Sequence, residues 1–354
     1  MASMASFSAP LLFGGEQRFL TTQIYNSKLN GDIDLAAARS AFLLLVSVGF
    51  FVLFASMRRS VATRTKGAQR SPRFSLPAGL RGGAIALAVL LVVLELLPVV
   101  AIVVISFVRE GSWTWQIFPT DFTFENYARL FVDTRIFEPI EHSLLMTLLA
   151  VAAAVIVGVA GASLLVKGGL RRSRTLVDVV LTMSFAIPGT VVAIGLIAAF
   201  NRPTILTANT ILVGTFWILP LAYFIRNYPL VIRSTASVLD TFDDTLLEAG
   251  ESFGAGLFRR MRVIVLPLIL PGILSGALLV AIASLGEFVS SILLYTYASR
   301  PIALEILAQL RGYNFGAASA YSVFLLVIIL FLTYLAQRIG KNAGTRGGSE
   351  SLTF

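Results

Sequence analysis

Seven apolar runs, each close to the length needed to cross a bilayer, constrain this chain more than any other feature. They fall at about 36–57, 84–108, 143–166, 176–200, 209–226, 264–294 and 317–338. A helix of roughly 20 apolar residues spans a hydrocarbon core about 30 Å thick. Helices and closed barrels alone satisfy every backbone polar group in that medium. Composition points the same way: 56% of the 354 residues are hydrophobic and 13% are charged. A soluble domain carries about twice that charged fraction. The expected fold is an all-α membrane protein with about seven transmembrane helices. The 264–294 run is long enough to be tilted, kinked or partly interfacial. With no cysteine in the chain, disulfides, thiolate metal sites and cysteine nucleophiles are excluded.

The net charge of +9 is read best through its distribution. If 58–83 is cytoplasmic, so are 167–174, 226–262 and the tail from Arg338, and these segments carry 19 Lys and Arg. The opposite side carries 8, and Arg39 lies within the first run. Basic residues accumulate in cytoplasmic loops, so the N-terminus is expected outside and the C-terminus inside. The 58–83 segment has seven basic residues and no acid, which suits a linker lying against anionic membrane lipid. Phe74 is the one aromatic residue among those charges, not the interleaved pattern of a nucleic-acid surface, so no nucleic-acid partner is expected.

The two ends of the chain resemble each other at an offset of 282. Arg18 matches Arg300, Ile24 matches Ile306, Ala36 matches Ala318, Ser40 matches Ser322, and Phe42-Leu43-Leu44 matches Phe324-Leu325-Leu326. A loop four residues shorter also sets Ala5-Ser6 against Ala283-Ser284. Chance likeness between two greasy spans covers the triplet but not the matched polar positions. A parallel duplication, common in transporters, is the reading adopted. It makes 1–57 the outer loop and last helix of a first unit, 58–83 a linker, 84–341 a complete six-helix unit, and 342–354 a tail. On that reading MASMASFSAPLLFG is a helix stub and not a signal peptide, in keeping with its lack of a basic n-region.

Within the predicted cytoplasmic loop, Phe242, Leu246, Ala249, Phe253 and Leu257 recur at helical spacing, and Asp244, Glu248 and Glu251 fall about 180° away. Thr241 and Asp244 fit a capping box, and Gly254 and Gly256 end or bend the helix. Arg259, Arg260 and Arg262 then mark the membrane interface, and Pro267 and Pro271 break or kink the next span. An interfacial helix on anionic lipid has a basic polar face. An acidic one suits a groove on another protein better, the alternative being a loop helix packed on its own bundle.

Glu248-Ala249-Gly250, then Gly254, then Ile264-Val265-Leu266-Pro267 resemble the EAA loop of ABC-importer permeases, EAA-x3-G-x9-I-x-L-P. The departure is Gly250 in place of the usual alanine. Phe122-Thr-Phe-Glu-Asn-Tyr127 and Ile187-Pro188-Gly189-Thr190 agree. The arrangement is similar to the C-terminal part of the fused, ferric-iron-type permeases of the binding-protein-dependent type I family. That family has relatives for thiamine, polyamines and aminoethylphosphonate. The resemblance implies a permease subunit, not an enzyme, in the inner membrane of a bacterium. It also implies a dimer of separate ABC ATPase subunits docking on the loop, an extracytoplasmic binding protein, and a second permease unit. Glu248 and Gly254 would be the key coupling positions, with Ala249, Gly250, Ile264, Leu266 and Pro267 completing the motif. No G-x4-G-K-[ST] phosphate loop occurs, so no cofactor is expected in this chain, ATP and Mg belonging to the partner. Ferric iron is the first expectation for substrate.

Polar residues inside spans mark bundle interiors or wet cavities. Glu287 lies in the fifth helix of the unit, which in the family lines the pathway; with Ser284, Pro188 and Gly189 it is a candidate pathway residue. The alternatives are a satisfied interior acid or a cap for Glu287, and a plain kink for Pro188-Gly189. Glu95 lies on a peripheral helix, where Arg39 or a linker residue would pair with it. His142 is the only histidine, so no metal site is expected. An intramembrane enzyme would need HExxH, GxSxG or paired aspartates, and the spans hold none. A secondary transporter, working without an ATPase, would carry several paired charges in its spans, where this chain has two isolated glutamates.

Overall fold

The computed structural model describes residues 6–62, 78–113, 118–167, 174–185, 187–240 and 245–346. Among the described residues there is no strand, only an isolated bridge between Val108 and Phe122. The helices are α1 (Ser8–Phe13), α2 (Leu20–Leu29), α3 (Ile33–Ala62), α4 (Ala78–Ile105), α5 (Glu125–Val132), α6 (Thr134–Lys167), α7 (Arg174–Thr182) and α8 (Gly189–Phe200). They continue with α9 (Ile218–Leu239), α10 (Thr245–Ser252), α11 (Leu257–Arg260), α12 (Leu266–Leu285), α13 (Val289–Leu294), α14 (Ile302–Arg311) and α15 (Phe315–Arg346). Two compact units result. One comprises Met1–Val48, Pro139–Leu304 and Val327–Phe354, the other Gly49–Glu138 and Glu305–Leu326.

Among the described residues, five stretches are long and apolar enough to cross a membrane: Ile33–Leu53, Leu80–Ser106, Thr134–Leu165, Phe258–Leu285 and Phe315–Ile339. Two expected runs come out differently. The 176–200 run is no single helix: α7 gives way to a 3-10 turn at Met183–Phe185, and α8 restarts at Gly189 after Pro188. Proline has no N–H and pushes the residue before it out of the helical region, so the ladder opens there. The 209–226 run is displaced, because α9 begins at Ile218 and continues to Leu239. Arg226 and Arg233, expected in a loop, therefore lie on a helix. The 264–294 run is interrupted at Gly286–Phe288, which separates α12 from α13, and not at Pro271, through which α12 continues.

The core of the first unit lies where α6 and α12 pack on α9. Glycines let the backbones approach: a Cβ on Gly276 would stand 2.7 Å from Val231 Cα, and one on Gly272 2.9 Å from the Ser234 carbonyl oxygen. Gly158 of α6 meets Val231 the same way, its Cβ position 2.5 Å from Val231 Cβ. Gly272 and Gly276 form a small-xxx-small pair, which drives helix association where no water is present to supply a hydrophobic force. Leu239, Val265, Ile269, Ile273 and Ala162 form one buried cluster of this interface.

The offset of 282 found in the sequence recurs in the starts of two pairs of helices. α2 and α14 both have ten residues, and the pairs α2/α14 and α3/α15 each start 282 residues apart. The turn before α3 uses Gly31 at φ +83°, and its counterpart Tyr313 takes φ +61°. The four-residue loop shift is not kept: α1 and α13, both six residues and both preceded by phenylalanine, are 281 apart. Phe7 and Phe288, equivalent in that register, stack with ring centroids 6.2 Å apart. Arg39 donates to the Gln23 carbonyl (3.0 Å) and to Ser27 Oγ (2.5 Å), and Glu95 is exposed on α4.

In the second unit, the Phe122–Tyr127 stretch acts as an anchor. Asn126 Nδ2 donates to the carbonyls of Ser106 and Val108, both at 2.9 Å, and Tyr127 Oη pairs with Ser106 Oγ at 2.7 Å. These bonds satisfy carbonyls freed at the end of α4 and hold α5 against it.

Candidate functional site

The motif loop forms a helical hairpin. α10 ends in a Schellman turn: Gly254 N–H reaches the Glu251 carbonyl at 2.8 Å and Ala255 N–H the Gly250 carbonyl at 3.0 Å. Gly254 takes φ +74°, the left-handed conformation this turn requires and that glycine adopts without penalty. The spacing from Gly250 to Gly254 is thus the spacing of a helix end. Thr241, Phe242 and Asp244, with the expected capping box, lie outside the described residues.

Which face of α10 is free differs from the simplest amphipathic expectation. Leu247 and Gly250 turn inward, Leu247 against the cluster of Leu239, Val265 and Ile269. A Cβ on Gly250 would stand 2.9 Å from Ile264 Cδ1, so the isoleucine of the motif rests on its third position. Leu246, Ala249 and Glu248 are exposed, and Phe253 is 91% exposed. Beyond α11, Met261–Val265 is a π turn leading into α12, with Pro267 in its first turn. Leu266 and Pro267 are exposed, and Ile264 is half-buried.

A second constellation forms at the two helix breaks. Gly189, at the start of α8, sits under the guanidinium of Arg226 from α9, whose Nη1 lies 2.5 Å from where a Cβ would be. Arg226 Nη1 also donates to Glu287 Oε2 between α12 and α13, in an ion pair whose Glu287 side chain is 8% exposed. The other oxygen, Oε1, accepts the Ser290 N–H at 2.9 Å, capping α13. Both carboxylate oxygens are therefore engaged. Around them Ser290 Oγ donates to the Gly189 carbonyl at 3.4 Å, Asn227 Nδ2 to Ser284 Oγ at 3.2 Å, and Tyr223 Oη pairs with Ser291 Oγ at 2.7 Å. Ser291 Oγ also donates to the Glu287 carbonyl, and the buried Thr190 Oγ1 has no partner among the described residues. Charged side chains and non-helical backbone within a membrane protein are tolerated where they face a bundle interior or line a water-filled cavity.

The structure thus gathers Pro188, Gly189, Ser284 and Glu287, named from sequence, into one buried cluster. It adds Arg226, Asn227, Tyr223 and Ser290. Arg226 was hidden because the apolar run before it ends there, placing it in a loop by hydropathy; its eight-residue distance from the start of α9 was the missing signal.

Over residues 154–343 the sequence matches the family described as binding-protein-dependent transport system inner membrane component. It is 30% identical to the "Probable ABC transporter permease protein y4fN" of Sinorhizobium fredii, over 96% of this chain and 61% of the relative. It is 27% identical to the ferric transport system permease protein FbpB of Actinobacillus pleuropneumoniae, over 96% of this chain and 50% of the relative. The chain thus spans only about half to three-fifths of these relatives. Other relatives carry names for 2-aminoethylphosphonate and for spermidine/putrescine transport. A crystal structure of a bacterial ABC transporter involved in alginate import superposes with a TM-score of 0.55 at 18% identity, over 76% of this chain and 99% of that one. That likeness is one of fold.

Proposed function

The chain belongs to the family of binding-protein-dependent transport system inner membrane components, and from that premise we propose that it is a permease subunit of an ATP-driven importer. The observation that carries the reading is α10: a short helix held to its own chain by Leu247 and Gly250, with Leu246, Ala249, Phe253 and Glu248 left exposed. Such a face fits a groove on a separate protein. On this reading an ATPase, binding ATP and Mg in its own chain, docks there and drives the transport cycle.

The orientation follows from charge. With Arg226 and Arg233 moved into α9, the cytoplasmic segments still carry 17 basic residues against 8 outside. That supports an outer N-terminus, an inner C-terminus, and α10 on the cytoplasmic side of a bacterial inner membrane. A binding protein delivers substrate to the outer ends of the spans, and the buried cluster around Arg226 and Glu287 borders the path. A second permease unit supplies the second coupling loop.

For substrate, ferric iron has the support of FbpB relatives, with phosphonate and polyamine the competing classes. The complete transporter, reconstituted with its ATPase and binding protein, is assayed for uptake of labelled ferric ion, 2-aminoethylphosphonate and spermidine. ATP-dependent ferric uptake, lost on Glu248→Ala, is the expected result. Uptake unaffected by removing ATP would return the chain to the class of secondary transporters.

A further inference from the structure

Three arginines cluster at the foot of α12, and they are not alike. Arg259 and Arg262 are exposed, whereas the side chain of Arg260 is only 17% exposed. Its stem crosses α10 at the glycine: Cγ and Cδ lie 3.4 and 3.5 Å from where a Cβ on Gly250 would stand. Its Nη1 is 2.5 Å from Glu251 Oε2 and 3.4 Å from the Leu247 carbonyl oxygen. An ion pair with one partner as exposed as Glu251 adds little to stability. Holding the fold is therefore a weak reason to bury a guanidinium here.

Position gives a better one. The chain between α10 and α11 contains Gly254 and Gly256 and would let α10 swing by itself. Directly after Arg260 comes the π turn Met261–Val265, a wider turn of the kind that concentrates at functional positions and marks a change of helical register. Arg260 is the residue at the junction, attached to α12 by the chain and to α10 by its side chain. Leu247 and the Gly250–Ile264 contact complete the attachment.

We propose that Arg260 is a positioning residue that makes α10 and the foot of α12 a single lever. A displacement imposed on α10 is then delivered to the π turn and the spanning helix and is not dissipated at the glycines. The inference rests on the reading of α10 as the face on which the ATPase acts. Arginine suits the role because one guanidinium nitrogen, Nη1, reaches both the carboxylate and the carbonyl while the long stem packs.

The test measures uptake and ATP hydrolysis on the same proteoliposomes of the complete transporter. Arg260→Met keeps the stem and removes the guanidinium; Glu251→Arg with Arg260→Glu exchanges the charges. We expect Arg260→Met to retain the ATPase subunit and to hydrolyse ATP within about twofold of wild type, while uptake per ATP falls at least about fivefold. The charge exchange should recover most of that ratio. Wild-type uptake per ATP in Arg260→Met overturns the proposal. So does a parallel loss of uptake and hydrolysis that the exchange leaves unrepaired, since that is a folding defect. Phe253→Asp, made alongside, separates the two ideas: normal uptake in that variant sinks the docking face itself, whatever Arg260 does.

Discussion

Arg226 of α9 donates to the carboxylate of Glu287, 61 residues further along the chain, across the gap between α12 and α13. Neither charge has another ionic partner among the described residues. The pair therefore ties two helix breaks together, and each charge is acceptable at that depth because of the other.

Removing one partner leaves the other buried and uncompensated. Arg226→Leu or Glu287→Leu alone should destabilise the protein by about 3 kcal/mol. The double variant should recover most of that loss. Thermal unfolding of the purified protein in detergent measures it, and additive losses would mean the two charges are not coupled.

Gly276 faces the backbone of α9, so a side chain there has to separate the helices. Gly276→Val should cost about 1–3 kcal/mol or more, as overpacking does, and should lower the yield of folded protein. Gly195, with nothing within 4 Å of its Cβ position, is the control: Gly195→Ala should leave yield unchanged or improved.

The two glycines of the motif loop should respond in opposite directions. At Gly250 the atom in the way is the far end of the Ile264 side chain, which can shift. Alanine also gains about 1 kcal/mol of helix propensity. Gly250→Ala should therefore support full uptake. At Gly254 the space is open but φ is +74°, so Gly254→Ala should cost about 1–2 kcal/mol and loosen the end of α10. Protease cleavage rates at the loop, with uptake, distinguish the two.

Phe253 makes little contact with its own chain. Phe253→Asp should change stability by less than about 0.5 kcal/mol, as exposed substitutions do. It should nevertheless abolish co-purification of the ATPase subunit. Retention of the subunit would remove Phe253 from the docking face.

Tyr313 takes a left-handed conformation, as Gly31 does 282 residues earlier, and it is 80% exposed. Tyr313→Gly should relieve strain of about 1 kcal/mol, offset in part by glycine's greater unfolded-state entropy. The variant is expected to be neutral or slightly stabilised by thermal unfolding. A large loss would show that the ring's edge-on contact with Phe315 matters more than the backbone.

Much of this protein is determined by residue pattern alone. Apolar length specifies helices, because an unpaired backbone group in hydrocarbon costs too much for any other local solution. The offset that joins Arg18 to Arg300 anticipates matched starts for α2 and α14, since similar sequences meet similar local rules. Gly254 announces a helix end because only its backbone accepts φ +74° cheaply. Other features depend on partners distant in sequence. Hydropathy ended a span at Arg226, while the charge is accommodated by Glu287, which no local window contains. The 264–294 run gives no sign that Gly272 and Gly276 face Val231 and Ser234, because close approach belongs to two helices at once. The choice of Leu247 and not Phe253 as the inward residue of α10 was likewise made by the cluster at the foot of α12. A hydrophobic periodicity names a face, but which neighbour covers it is decided by what else is there to pack against.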